Sequence, residues 1–154
     1  MHDLAGNSIR ESWTATIPGE PIGKGRPRAT SRGGRVRTFT PKKTRAYEQA
    51  AARVLADGWH REPLRGAVRL FVVALFPRPG RMMWKRKPMP RTEHTARPDG
   101  DNVLKIIQDS LEKSGVLLRD QQVFQASITK LVCAGDEQPC VQIRLCWSDP
   151  CGSI

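Results

Sequence analysis

The sequence predicts an α+β fold: a mixed, mostly antiparallel sheet with two helices packed on it, in the order β-β-α-β-α-β-β. Three observations predict it. Hairpin-like runs lie at both ends of the chain. Two runs, one after Thr40 and one after Gly100, carry apolar residues at helical spacing. Between them lies the apolar run VRLFVVALF. A length of 154 residues is one ordinary domain, 1–154, with 1–11 and 148–154 expected to be flexible.

Trp13, Ala15 and Ile17 alternate with threonines, the pattern of a half-buried strand. Residues 18–41, PGEPIGKGRPRATSRGGRVRTFTP, show no core signal until Val36. They predict a loop, then a hairpin turning at Gly33-Gly34 with Val36 to Phe39 as its return strand. Thr40 offers a capping hydroxyl and Pro41 suits a first helical position. Ala46, Tyr47, Ala50, Val54 and Leu55 share one face of a helix over 41–57, which Gly58 ends. Residues 68–76 are apolar on both alternating faces and predict a central strand.

Residues 77–98 hold five prolines and seven basic residues and predict a mobile basic loop, which Met82, Met83 and Trp84 would pin to the core. The second helix is expected over 101–114, with Asp101 as its cap and Val103, Leu104, Ile107 and Leu111 on one face. Two strands close the chain: about 124–132, then one with Val141, Ile143, Leu145 and Trp147 on one side. The stretch AGDEQP between them is turn chemistry.

Lys and Arg outnumber Asp and Glu by 26 to 15, a net charge of +11. Such an excess attracts polyanions, nucleic acid first among them. No stretch approaches the roughly 20 apolar residues of a membrane helix, and the N-terminus lacks the order of a signal peptide. Both point to the cytoplasm and to reduced thiols at Cys133, Cys140, Cys146 and Cys151. None of these forms a C-x-x-C pair, so structural zinc is not expected.

Against this charge stand Asp99 and Asp101, one residue apart before the second helix, and Asp120 after it. An aspartate ahead of a helix ordinarily caps it, which accounts for Asp101 but not for the other two. A 14-residue helix is about 21 Å long. The segment GVLLRD, nearly extended, covers at most about 20–22 Å. It is just long enough to bring Asp120 back to the helix start. Three oxygen-rich side chains without nearby Cys or His suit a hard cation, Mg²⁺ or Mn²⁺. In a basic protein that combination implies phosphodiester hydrolysis. Lys105, four residues after Asp101, either forms a salt bridge or stabilises charge at a phosphate. Asp109 lies two turns along and is left out of the metal cluster. The competing reading is a non-catalytic, basic nucleic-acid-binding protein whose aspartates are caps and salt-bridge partners.

The ordered set Asp99, Asp101-Asn102, Val103, Lys105, then Asp120 and Gln122-Val123, resembles the RusA family of Holliday-junction resolvases of bacteria and their phages. IPGEPIGKGRPR and FTPKKTRAYE resemble its N-terminal region. The likeness spans nearly all of 13–147. It implies a Mg²⁺-dependent endonuclease, a homodimer that cuts paired strands of a four-way DNA junction, without a small-molecule cofactor. By the resemblance, Asp99, Asp101 and Asp120 are the metal-binding catalytic carboxylates and Lys105 the catalytic lysine. A nuclease acting on flaps or forks is the neighbouring alternative.

Two acid-poor basic runs flank this motif. The first contains Lys24, Arg26, Arg28, Arg35 and Arg37; the second contains Lys85, Arg86, Lys87 and Arg97. Both are expected to bind phosphates and to follow a branched backbone by shape, without reading bases.

Overall fold

Alternating runs build a five-stranded sheet in the order β1-β7-β4-β6-β5, seen in a computed structural model that describes residues 11–148. Its strands are β1 Glu11–Pro18, β4 Val68–Phe76, β5 Thr92–Glu93, β6 Val123–Val132 and β7 Cys140–Trp147. A separate two-stranded hairpin holds β2 Arg28–Arg32 and β3 Arg35–Phe39. The helices are α1 Lys42–Gly58 and α2 Gly100–Lys113. The expected α+β architecture is present, with two strands more than the sequence order named. One is β2, the outgoing arm of the hairpin. The other is the short β5, inside the loop expected to be structureless.

VRLFVVALF takes the middle of the sheet, antiparallel to β7 and parallel to β6. The parallel pair requires a crossover, and α2 supplies it. Both α1 and α2 pack into one core with β4 and β7. Leu55, Leu70, Val72, Ile106, Ile107, Leu111, Ile143 and Leu145 are all buried there. Each such side chain contributes about 1.5–3 kcal/mol by leaving water. Trp13, Trp59 and Trp147 meet edge to face, with centroids 5.1 and 5.8 Å apart, at one margin of this core. Arg61 lies over the last two rings and pairs with Glu11.

Some sequence expectations change. The buried residues of α1 are Thr44, Glu48, Ala51, Ala52 and Leu55, while Ala46 and Ala50 face solvent. Polar groups occupy the inner face because each finds a partner: Thr44 Oγ1 accepts the Gly25 amide, and Glu48 meets Lys24. Pro41 sits at the cap position, so Thr40 does not cap the helix. The loop 77–98 is fastened rather than loose. Arg78 donates to the carbonyls of Met82, Pro90 and Cys133. Met83 and Trp84 are exposed, with Trp84 between Arg78 and Lys87 rather than in the core. Cys133, Cys140 and Cys146 are free thiols, and Cys151 lies outside the described residues. So do the expected flexible ends, except Glu11, which opens β1, and Ser148.

Candidate active site

Asp99 occupies the N-cap position of α2, with φ −66° and ψ 148°, yet its side chain makes no capping hydrogen bond. Asp101 lies in the first turn. Both are exposed, and among the described residues neither carboxylate has a hydrogen-bond or ion-pair partner. The capping role expected for Asp101 is therefore not realised. Two bare carboxylates at the positive end of a helix are free for other work.

The head of α2 is held from two sides. From the N-terminal loop, the Lys24 amide donates to the Asn102 carbonyl at 2.9 Å. A Cβ on Gly23 would come within 2.8 Å of Pro98, so only glycine allows this approach. From β6, Lys130 Nζ donates to the carbonyls of Ala96 and Pro98 at 2.7 and 2.6 Å. The His94 amide donates to the Lys130 carbonyl, and the His94 ring stacks on Phe76 at 3.8 Å. Lys130 is thus a positioning residue for Asp99. Sequence reading missed it, although a lysine between Ile128 and Val132 on the inward parity of a strand was the available signal.

The return segment buries Val116 and Leu117, then turns at Asp120–Gln122. Gln122 holds this turn in place. Its Oε1 accepts the amides of Leu118 and Arg119, and its Nε2 donates to the carbonyls of Leu64 and Gly66. The Asp120 amide donates to Glu112. Asp120 is thereby carried back along α2 to Lys105, with Nζ to Oδ2 at 2.6 Å. Lys105 also meets Asp109 at 3.0 Å, and Asp109 meets Lys24 at 2.6 Å. Lys24 pairs in turn with Glu48, which Lys113 approaches at 3.9 Å. The signs alternate along the whole row.

Electrostatics follow from this row. The bonds to Asp120 and Asp109 raise the Lys105 pKa, so it stays charged. The same lysine holds the Asp120 carboxyl below its ordinary range. Burial works against the Lys24 charge, but Asp109 and Glu48 outweigh it and raise its pKa. Asp109, set aside in the sequence, proves to be the brace between two lysines.

A cleft of about 810 Å³ opens beside Asp99. Arg26, Arg28, Lys43 and Arg97 line it together with Asp99 and Asn102. Of the expected phosphate contacts, Arg26, Arg28 and Arg97 are therefore gathered at the aspartate. Lys24 borders the cleft but is spent on Glu48 and Asp109. Arg35 and Arg37 lie on the exposed hairpin, and Lys85, Arg86 and Lys87 on the exposed loop.

Residues 18–145 match the family described as Endodeoxyribonuclease RusA. The chain belongs to the RusA family. It is also similar to the uncharacterized protein YqaN of Bacillus subtilis (strain 168), with 28% identity over 135 residues, 84% of this chain and 92% of that protein. RusA membership makes the chain an endodeoxyribonuclease, a hydrolase of phosphodiester bonds that resolves Holliday junctions, and branched DNA its substrate. RusA nucleases depend on divalent metal. No helix of the described residues is long and apolar enough to cross a membrane.

Whether the residues fit a metal depends on the number of ligands it needs. Among the described residues no three His, Cys, Asp or Glu side chains come together to hold an ion. Asp120 stays with Lys105. Mg²⁺, however, is commonly held by one or two carboxylates, with water and substrate phosphate completing its shell. The bare, all-oxygen pair at the head of α2, beside a basic cleft, fits that mode.

Proposed function

We propose that this RusA protein is a Mg²⁺-dependent resolvase, one domain over 1–154, that works as a homodimer in the cytoplasm and cuts paired strands of a four-way junction. One observation carries the reading: Asp99, unpaired at the head of α2, lines a cleft shared with Arg26, Arg28 and Arg97. The arginines draw the sugar–phosphate strand in and fix it against the helix end. Asp99 and Asp101 would hold Mg²⁺, or Mn²⁺ in its place. The bound ion would supply Lewis-acid stabilisation of the phosphate and an activated water. Lys105 keeps Asp120 in reach of the same helix face and adds a fixed positive charge there.

Labelled four-way junction, fork and linear duplex, incubated with Mg²⁺ and with EDTA, test this reading. Paired cuts in the junction with Mg²⁺ alone are expected. Asp101→Asn keeps the side chain's size and removes its charge. It should lower cutting by about 10²-fold or more, the scale on which one charge-stabilising group acts, and keep junction binding. Binding by the parent protein without metal-dependent cutting would leave only a cationic binder. Preferential cutting of the fork would change the substrate and keep the chemistry.

A further inference from the structure

The hairpin β2–β3 has no core of its own, and every residue of its strands is exposed. Val36 is 70% exposed and Phe39 43%. An isolated two-stranded hairpin is marginal in water. Gly33 and Gly34, with φ of 63° and 76°, give it the tight turn that matches strand twist. What it presents is read from its register. Arg28 opposes Phe39, Thr30 opposes Arg37, and Arg32 opposes Arg35. Ala29 opposes Thr38, and Ser31 opposes Val36. Opposed residues share a face, as do residues two apart. All four arginines therefore stand on one face, and the other face is neutral.

This arrangement works against the hairpin alone. Arg32 and Arg35 are like charges directly opposed, which is destabilising. Among the described residues none of the four arginines has an acidic partner. An anion would relieve the repulsion. Arg28 belongs both to this face and to the cleft beside Asp99, so the charged face runs on from the candidate site. Five residues span about 16 Å, and two strands lie about 4.8 Å apart. The major groove of B-DNA, about 12 Å wide, admits such a ribbon.

We propose that β2–β3 is a duplex-gripping ribbon. Its arginine face lies against phosphates bordering the major groove of the DNA arm next to the cut strand. This rests on branched DNA as the substrate and adds a second grip, outside the cleft, that holds paired rather than unpaired DNA.

The test is the salt dependence of binding to four-way junction, linear duplex and single-stranded oligonucleotide, all in EDTA. Each phosphate contact contributes a slope of roughly 0.9 in log K against log salt. The triple variant Arg32→Ala, Arg35→Ala, Arg37→Ala should lose about 2.7 of that slope on junction and duplex. Between 50 and 200 mM salt the parent should then lose roughly 40-fold more affinity than the variant. The matching Arg→Lys triple should keep the slope, and Ser31→Ala with Thr38→Ala on the neutral face should leave it unchanged. Thermal melting should not move. If the alanine triple fails to fold, Arg32→Gln with Arg35→Gln should lose about 1.8. An unchanged slope overturns the proposal. So does an equal loss from the neutral face, or a loss confined to single strands. Junction cutting by the parent with Mg²⁺ is scored separately. Cutting with an unchanged slope rejects the ribbon and keeps the nuclease; a lost slope without cutting does the reverse.

Discussion

Lys105 holds two acids at once, and that sharing sets how the site responds to pH. Asp120 is kept ionised below its ordinary pKa of 3.8, so its contribution to stability is present above that value and lost as pH falls further. Lys105 is raised, so its contribution is present below 10.5 and lost as pH climbs beyond. Neither window touches neutral pH. His94 is the group whose window reaches up towards neutrality, to its ordinary 6.5. Burial first, then the neighbouring Lys130 charge, lowers its pKa below 6.5. Between its folded pKa and 6.5 the unfolded chain binds the proton and the folded chain refuses it. Stability therefore falls as pH drops through that window. Melting at pH 5 should come at a lower temperature than at pH 7.5. His94→Phe keeps an aromatic ring on Phe76 and should shrink the difference. A difference of the same size in His94→Phe would assign it to other groups.

At the scale of elements, the Asp120 turn depends on one side chain. Gln122 satisfies two amides of its own turn and two carbonyls of the 64–66 segment. Gln122→Ala leaves four backbone groups to find water and should cost about 1–3 kcal/mol, read by urea denaturation. It should also lower nuclease activity by freeing Asp120 from Lys105. A variant as stable and active as the parent would show that another contact holds the turn. The sequence located α2 and its two leading aspartates, because helix periodicity and first-turn chemistry are local. The reach of GVLLRD was only an upper bound, and Asp120 stops at Lys105, with no cluster of three carboxylates among the described residues. The sequence could not place the inner face of α1. Thr44 and Glu48 are tolerated there through Gly25 and Lys24, partners that no periodicity within α1 records. Lys130 and β5 were hidden for the same reason. Each is decided by a strand the loop reaches across space, not by its own neighbours.

At the scale of the whole molecule, charge draws DNA in and symmetry decides how it is cut. A net charge of +11 attracts any nucleic acid through counterion release, so affinity alone does not identify a junction resolvase. Paired cutting does. The two strands to be cut in a four-way junction are related by a twofold axis, and a homodimer presents two cleaving sites related in the same way. If the chain pairs as proposed, mixing the parent with Asp101→Asn gives dimers with one working site. On a supercoiled plasmid carrying an extruded cruciform, the parent should yield linear product, because its second cut follows before the complex dissociates. The mixed sample should accumulate nicked circles in proportion to the share of mixed dimers. Each first nick removes the supercoiling that holds the cruciform, so a nick left by a mixed dimer is not completed by another enzyme. If the mixture instead gives the same ratio of linear to nicked product as the parent diluted to equal active concentration, the chains act singly. Pairing of cuts would then have to come from within one chain.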